Sequence, residues 1–415
     1  MNIKIKIPHL QGIWEAPASK SELIRYIAIA MQCEEESEIT HVSWCNDSYT
    51  MLKIAEDWGA DIFLSEEKIR IRGRKEPQSQ LFNAGESALC LRLLIPILAK
   101  YNGTFKIEAE GSLLHRPIGE IISVLQEMGA NITTQNQFPP ITIKGPIKGK
   151  HISIEHPITS QNISGLLFAL PLLKENSQIK LNKLISLPYI QLTLSCLKQA
   201  GITIEANQQL SFYSINGKQL FKPINISTEG DWSSAALFFA AGAVSGNIEI
   251  KNLNPQSFQA DKAILHHIAY QYKNRYFVNR QKINGIEADI THCPDVFPAL
   301  MILCLHASST STITGTNRLI YKESNRLDKF IEEFSKFGAK FSLDGDSLHI
   351  RPPENILSAT IDSHNDHRIA MAAALATVGS TAQVLITNAE SVNKSYPSFW
   401  EDLKCLGAKI EIIEE

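Results

Sequence analysis

Helical patterns followed by alternating segments recur along this chain. In one copy a helical pattern runs through residues 55–59, and apolar residues then alternate with polar ones at 61–63 and 69–72. A second copy has its helix at 125–128 and a similar alternating segment at 141–144. Alternation with a period of two is typical of half-buried strands. Each copy therefore predicts a helix, a strand, a turn and a second strand.

A glycine ends the helical part of each clear copy. Such glycines stand about 70 residues apart, with one gap of about twice that length, at Gly59, Gly129, Gly201, Gly338 and Gly407. The long gap predicts a sixth unit near residue 270, with helix at 263–269 and strand at 275–278 but without the glycine. Glycine adopts the left-handed conformation at a helix end without a Cβ penalty. Each could be an ordinary helix stop, but the even spacing favours a repeat.

Six such units predict an α/β fold of two lobes with three units each, helices inside and sheets outside. Helices buried on several sides should be apolar nearly all round. The segments 233–244 and 369–378 have this composition.

Composition restricts the class of protein. A length of 415 residues suggests two or three domains. The net charge of −3 provides no global field for nucleic acid or an acidic membrane, so local clusters of Lys and Arg must hold any anion. The seven cysteines form no CxxC pair, which indicates a reducing compartment and predicts a cytoplasmic protein. The N-terminus alternates like a strand, and the longest apolar runs are too short to span a membrane.

Several predicted helices begin with a small or acidic residue and a nearby cation. In the segment 17–25, Ser19 and Glu22 match a capping box, while Lys20, Ser21 and Arg25 lie near the positive end of the helix. Taken alone, this segment is better explained as a capped helix with solvated charges. Comparable segments recur at 86–92, 114–117, 159–161, 185–189, 321–326, 365–368 and 392–395. Several such helix starts predict a ligand with more than one phosphate or carboxylate.

The order of these motifs resembles that of the enolpyruvyl transferase family, and within it the branch that acts on shikimate 3-phosphate. The similarity runs from about residue 15 to about 400 and includes Pro-x-Ser-Lys-Ser, Arg-Pro-Ile-Gly, Lys-Glu-Ser-x-Arg, Asn-Asp-His-Arg and a late lysine. It implies two lobes, each of three βαβαββ units, which close over substrate. One lobe would comprise residues 1–15 and 229–415 and the other 16–228, with the active site in the cleft between them.

The resemblance also implies the ligands of individual residues. Shikimate 3-phosphate would contact Lys20, Ser21, Arg25, Ser160, Gln161, Ser186, Tyr189, Asp295 and Lys322. Phosphoenolpyruvate would contact Lys20, Ala88, Arg92, Arg116, Gln161, Arg326, Arg368 and Lys394. Arginine suits phosphoenolpyruvate because it binds carboxylate and phosphate bidentately.

The implied reaction transfers the enolpyruvyl group of phosphoenolpyruvate to the 5-hydroxyl of shikimate 3-phosphate and releases phosphate, in the pathway to chorismate and the aromatic amino acids. Asp295 would accept the hydroxyl proton, Glu323 would protonate C3, and Lys20 would assist both steps. Asp295 could equally be a helix cap, and Glu323 could merely pair with Arg326.

No cofactor or metal is expected. His364 and His367 have no third ligand nearby in the sequence, and we expect Asp366 and His367 to brace Arg368. We interpret the pair Asn46–Asp47 as structural.

Two departures from the family pattern stand out. Gln259-Ala260-Asp261 has alanine where the family usually has glycine, although none of the expected chemistry depends on this segment. Ala88 lies four residues before Arg92, where the family typically has glycine, and this predicts reduced sensitivity to the inhibitor glyphosate.

Two other functions were considered. UDP-N-acetylglucosamine enolpyruvyl transferases commonly carry a reactive cysteine in the loop corresponding to 110–118, which here has none. A non-catalytic anion-binding scaffold should have lost one of Lys20, Asp295 and Glu323, but all three are present. The expected partners are therefore the two small-molecule substrates, with no nucleic acid and no membrane, bound by a monomer.

Overall fold

The computed structural model describes residues 1–413. Its α-helices within this range are α1 (Lys20–Ala30), α2 (Asn46–Trp58), α3 (Ala88–Ala99), α4 (Gly119–Glu127), α5 (Ser160–Ala169), α6 (Leu187–Gln199), α7 (Trp232–Ser245), α8 (Phe297–Leu305), α9 (Arg326–Ser335), α10 (His367–Ala376) and α11 (Phe399–Cys405). Short 3₁₀ helices occupy Gly111–His115, Leu170–Leu172, Ala260–His266, Pro294–Val296, Thr316–Leu319 and Ala389–Lys394.

The strands alternate with these helices. They are β1 (Asn2–Lys6), β2 (Leu10–Glu15), β3 (Ser37–Thr40), β4 (Asp61–Leu64), β5 (Lys68–Arg72), β6 (Leu81–Asn83), β7 (Gly103–Glu108), β8 (Asn131–Gln135), β9 (Phe138–Gly145), β10 (His151–Ile154), β11 (Ser177–Leu181), β12 (Ile204–Ala206), β13 (Phe212–Ile215), β14 (Asn225–Ser227), β15 (Gly246–Lys251), β16 (Gln271–Tyr272), β17 (Tyr276–Asn279), β18 (Glu287–Asp289), β19 (Ser311–Thr314), β20 (Lys340–Asp344), β21 (Ser347–Arg351), β22 (Ala359–Asp362), β23 (Val384–Thr387) and β24 (Lys409–Ile413).

The strands of residues 1–413 form six four-stranded sheets with one shared pairing pattern. The sheet orders are β14-β3-β5-β4, β6-β7-β9-β8, β10-β11-β13-β12, β2-β15-β17-β16, β18-β19-β21-β20 and β22-β23-β1-β24. In each sheet the first two strands are parallel, and the second, third and fourth pair antiparallel in turn. The sixfold repeat inferred from glycine spacing is therefore visible in the strand pairing.

The chain separates into two compact units. One comprises Met1–Pro17 together with the chain from Glu229 onward, and the other comprises Ala18–Thr228. Three of the sheets described above belong to each unit. In the second unit α3 packs on α1 and α5, and in the first α7, α8 and α10 pack on one another. Helix α7 and the first turns of α10 are buried nearly all round, as their composition predicted.

The repeat glycines adopt the predicted backbone conformation. Gly59, Gly129, Gly201, Gly338 and Gly407 have φ of +95°, +107°, +78°, +96° and +105°, which lie in the left-handed region. A residue with a Cβ would be strained there, so these positions favour glycine.

The sixth unit departs from the others in its second helix. Strand β17 lies close to the strand expected at 275–278. An α-helix was expected at 263–269, but the structure has the 3₁₀ helix Ala260–His266 there. A 3₁₀ helix of this length is short and has poorer hydrogen-bond geometry, which agrees with the missing terminal glycine.

Candidate active site

Lys20 opens helix α1 and lies close to an acidic residue from α2. Ser19 is the N-cap but makes no side-chain capping bond, and Glu22 accepts a hydrogen bond from the Tyr26 hydroxyl at 3.0 Å. The predicted capping box is therefore wrong. Lys20 Nζ lies 2.9 Å from Oδ2 of Asp47, in the first turn of α2. Asp47, which the sequence suggested was structural, pairs with the expected catalytic lysine.

Arg25 is buried in a polar network between α1 and α6. Its Nε donates to Thr193 Oγ1 at 2.9 Å, and its Nη1 donates to the Ser21 carbonyl at 2.6 Å. The Thr193 hydroxyl donates to the carbonyl of Tyr189 at 2.9 Å. Burial lowers the pKa of Arg25, while Tyr189 and Glu22 are among the groups that raise it. Thr193 thus links Arg25 to Tyr189, and Arg25 in turn holds Ser21, so three residues expected to bind shikimate 3-phosphate share one network.

A second group of cations joins α3 to the starts of α4 and α5. Arg92 Nη1 donates to Gln161 Oε1 at 2.9 Å, and both Arg92 and Arg116 are buried. Burial and the nearby Arg116 charge lower the pKa of Arg92 to about 10. Like charges in a dry site repel each other, so an anion between them would be stabilised.

Glu120 was missed by sequence reasoning and lies beside this group. Its Oε2 accepts from the backbone N–H of Ile158 at 2.5 Å, and its Oε1 accepts from Asn162 Nδ2 at 2.9 Å. Burial raises the pKa of Glu120. The two bonds tie α4 to the residues that flank Ser160 and Gln161 at the start of α5. The helical pattern could reveal Glu120 as an N-terminal acid of α4, but not its partners.

The remaining expected contacts in this unit lie at helix starts. Thr159 caps α5, its Oγ1 accepting from the backbone N–H of Gln161 at 3.3 Å, and Ser160 is buried in the first turn. Ser186 is the N-cap of α6 with a left-handed φ of +47°. Ala88 is the first residue of α3 and is half-buried.

In the other unit, Arg326 lies among three carboxylates. Its Nη1 is 2.9 Å from Asp295 Oδ1 and its Nη2 is 2.8 Å from Glu323 Oε2. Asp366 receives two bonds, from Nε at 2.9 Å and from Nη2 at 3.1 Å. Arg326 is 1% exposed and Asp366 is fully buried. The guanidinium therefore fixes the expected acid, Glu323, relative to the expected base, Asp295.

Asp295 lies in the 3₁₀ turn Pro294–Val296 before α8, and the N-cap position of α8 is Val296. Lys322 Nζ donates to Asp295 Oδ1 at 3.1 Å, and Arg368 Nη1 donates to its backbone carbonyl at 2.9 Å. Burial favours a higher pKa, but Arg368, Lys322 and Arg326 hold the pKa of Asp295 well below its usual value. Burial lowers the pKa of Lys322 to about 8. Without substrate, Asp295 is an ionised hydrogen-bond acceptor.

Asp366 and His367 contact residues of the Arg326 cluster, and Asp366 also contacts the Arg368 backbone. Asp366 binds the side chain of Arg326 and caps α10 by accepting from the backbone N–H of Arg368 at 3.0 Å. His367 Nδ1 lies 3.1 Å from Glu323 Oε2. Asp366 thus contacts Arg368 at its backbone N–H, as expected of a bracing residue, and its carboxylate also orients the Arg326 side chain. Lys394 lies nearby and donates to the Asn365 carbonyl at 2.8 Å.

Histidine and carboxylate groups come closer together than the sequence suggested. Glu323, Asp366 and His367 offer ligand atoms within 4.8 Å of one another, as do Glu332, Glu333 and His364. The argument that a third ligand is missing is therefore wrong. In the first group, however, Arg326 already neutralises both carboxylates.

Comparison with known proteins gives a consistent result. A family model described as EPSP synthase (3-phosphoshikimate 1-carboxyvinyltransferase) matches residues 5–403. A 3-phosphoshikimate 1-carboxyvinyltransferase of Clostridium perfringens is 33% identical over 410 residues, covering 96% of each chain. Its counterpart from Clostridium acetobutylicum is 34% identical over 421 residues, covering 98% of each chain.

Two solved structures share the fold. An EPSP synthase from Acinetobacter baumannii matches with a TM-score of 0.81 and 22% identity, over 99% of this chain and 100% of that one. The enolpyruvyl transferase NikO from Streptomyces tendae matches with a TM-score of 0.79 and 15% identity, over 99% and 98%. Among residues 1–413, no helix is long and apolar enough to cross a membrane.

Proposed function

Because the chain belongs to the EPSP synthase family, we propose that it catalyses the reaction for which its curated relatives are named. It transfers the enolpyruvyl group of phosphoenolpyruvate to the 5-hydroxyl of shikimate 3-phosphate and releases phosphate. The observation that carries this proposal is the partly buried cluster of Asp295, Lys322, Glu323, Arg326 and Arg368, which combines two carboxylates with three cations.

The cations suit the charges of phosphoenolpyruvate. Arg326, Arg368 and Lys394 in one unit and Arg92 and Arg116 in the other would bind its carboxylate and phosphate. Buried cations bind anions more strongly than exposed ones because little solvent screens them. Lys20, paired with Asp47, would contact both substrates. Ala88 would border the phosphoenolpyruvate site at the start of α3.

Shikimate 3-phosphate would be held mainly by hydroxyl, amide and cationic groups. Ser160 and Ser186, at the starts of α5 and α6, suit its phosphate, since backbone N–H groups and the helix dipole favour anions there. Ser21, Arg25, Gln161 and Tyr189 would complete this set. Asp295 and Lys322 would contact the sugar from the other unit.

Proton transfer follows from the charges around Asp295. In the free enzyme three cations keep it ionised and weakly basic. When phosphoenolpyruvate engages Arg326 and Arg368, part of their charge is neutralised, so the pKa of Asp295 rises toward that of a useful base. Asp295 would then accept the 5-hydroxyl proton as the oxygen attacks C2, and Glu323 would protonate C3. The tetrahedral adduct then loses a C3 proton back to Glu323 as phosphate leaves C2 with the proton held by Asp295, so the double bond reforms, with Lys20 stabilising charge.

Each expected ligand set has members in both compact units, with Lys20 in one unit and Asp295 in the other. We therefore propose that bound substrate engages residues of both units and that the resulting closure excludes water. Small-angle scattering would show a smaller radius of gyration with shikimate 3-phosphate. An unchanged radius at saturation would contradict closure. We further propose that the protein acts as a cytoplasmic monomer, which light scattering and cell fractionation test.

Calorimetry and phosphate release test the reaction itself. Shikimate 3-phosphate should bind alone, and phosphoenolpyruvate should release phosphate only when shikimate 3-phosphate is present. A UDP-N-acetylglucosamine acceptor should give no release, and the identity to 3-phosphoshikimate enzymes argues against that alternative. Binding of both substrates without phosphate release would instead favour the non-catalytic scaffold.

A further inference from the structure

Asp261 is a buried carboxylate beside the cluster that none of the proposed steps uses. It is 1% exposed and lies in the 3₁₀ helix Ala260–His266, the segment that replaces an α-helix in the sixth unit. The Ser233 hydroxyl in the first turn of α7 donates to its carboxylate. Asp231 caps α7 by accepting from the backbone N–H groups of Ser233 and Ser234, which fixes that turn. The position of Asp261 is therefore well defined.

Asp261 lies within reach of the charges in the proposed active site. The 3₁₀ helix packs against α7 and against the 3₁₀ turn that carries Asp295. The charged and titratable groups that interact with Asp261 include Arg368, Asp295, Asp231 and Cys293. Burial raises the pKa of Asp261 to about 7, with Asp295 and Asp231 acting in the same direction and with Arg368 and the Ser233 hydroxyl opposing them.

We infer that Asp261 is a positioning residue that controls how strongly Arg368 attracts the phosphoenolpyruvate anion. This inference rests on the proposed function, in which Arg368 binds that anion. When Asp261 is protonated, the charge of Arg368 is available to the ligand. When Asp261 is ionised, its carboxylate offsets part of that charge, because the interaction takes place in a buried site with little screening.

The direction of the pH effect follows from linkage. Asp261 is protonated below neutral pH and ionised above it, so the KM for phosphoenolpyruvate should rise as the pH increases through about 7. Coupling between two binding equilibria is reciprocal. An anion bound at Arg368 therefore raises the pKa of Asp261, and the enzyme takes up a proton as it binds phosphoenolpyruvate near neutral pH.

The test compares the parent with Asp261→Asn, which keeps the shape and removes the charge. The ratio of their KM values for phosphoenolpyruvate, measured at each pH, cancels the ionisation of the substrate itself. If bound phosphoenolpyruvate raises the pKa of Asp261 by about one unit, the protonated and ionised forms of Asp261 differ about tenfold in their affinity for phosphoenolpyruvate. We expect the ratio of the parent's KM to the variant's KM to be near one in mild acid and to rise to about ten in mild alkali. We expect kcat to change less than KM.

Two further variants test whether the ionisation of Asp261 causes the pH dependence of KM. Ser233→Ala removes the hydroxyl that stabilises the ionised form of Asp261, so the midpoint of the parent's pH dependence should move upward. Glu332→Gln removes the same charge from an exposed ion pair with Lys329 and should leave the pH dependence unchanged.

A parent-to-variant KM ratio that is the same at every pH would overturn the inference. It would also be overturned if Asp261→Asn raised KM at every pH, because either result indicates a purely structural role. If Asp261→Asn does not fold, an unmoved midpoint in Ser233→Ala overturns it as well. Phosphate release by the parent at neutral pH tests the proposed function separately. An active parent with a flat ratio therefore refutes only the role of Asp261.

Discussion

The guanidinium of Arg326 is held by both carboxylate oxygens of Asp366, at 2.9 and 3.1 Å, with neither side chain more than 1% exposed. The two residues are 40 positions apart and belong to different repeat units, since α9 follows β19 and α10 follows β22. Their bond orients the arginine that also contacts Asp295 and Glu323. Asp366 therefore supports the geometry of the whole cluster.

Replacing Asp366 with alanine should destabilise the protein strongly. Removing one partner of a buried ion pair costs about 3–5 kcal/mol, because the remaining charge is left without its main counter-ion. Urea unfolding measures this loss. The matched control is Glu332→Ala, which breaks an exposed pair with Lys329 and should change the midpoint little. Equal midpoints for the two variants would show that Asp366 does not support the cluster.

Asp295→Asn should retain binding of shikimate 3-phosphate but lose most turnover. The amide can still accept a hydrogen bond from the sugar hydroxyl, but it cannot take its proton, and general base catalysis contributes roughly 10²–10⁴-fold. Calorimetry measures binding, and phosphate release measures kcat. Turnover within a few-fold of the parent would exclude Asp295 as the base.

Glu323→Gln should also lose turnover by roughly 10²–10⁴-fold, because glutamine cannot deliver a proton to C3. Its amide can still contact Arg326, so the protein should remain folded. Proton exchange at C3 of phosphoenolpyruvate, followed by NMR in deuterated water, reports this step directly. Exchange at the parental rate would assign the acid to another residue.

Ala88→Gly should increase inhibition by glyphosate. The Ala88 methyl group, at the start of α3, would project into the phosphoenolpyruvate site and obstruct the longer inhibitor. One carbon in a packed site is worth about 1–3 kcal/mol, or about ten- to two-hundred-fold in discrimination. The comparison is between inhibition constants of the two proteins. Ala99→Gly, at the far end of the same helix, is the control for helix weakening. Strong inhibition of the parent would contradict the prediction.

Cysteine labelling should distinguish Cys405 from the other thiols. Cys405 is exposed, whereas the other six cysteines are buried. Burial also raises the pKa of Cys90 and of Cys304, the latter to about 12, which keeps these thiols protonated. Thiolate is the reactive form, so a disulfide reagent should label Cys405 quickly and the others only after denaturation. Rapid labelling of several thiols in the native protein would contradict this arrangement.

The sequence by itself determined the repeat and the α/β class, and it predicted the anion-binding chemistry. These properties are local: a strand shows its period of two, a helix end shows its glycine, and a helix start shows its polar residues. Gly59 and Gly407 could be predicted as left-handed because each conformation depends on a few neighbouring residues. The order of the motifs was then sufficient to indicate the family.

Only the tertiary structure decided which carboxylate meets which cation. Asp47 meets Lys20 from another helix, Asp366 binds the Arg326 side chain as well as the Arg368 backbone, and Ser19 makes no capping bond. Asp261 lies beside the cluster, although its segment looked unimportant in the sequence. The physical reason is that charges act over distance in space, and packing of the helices sets that distance independently of separation along the chain.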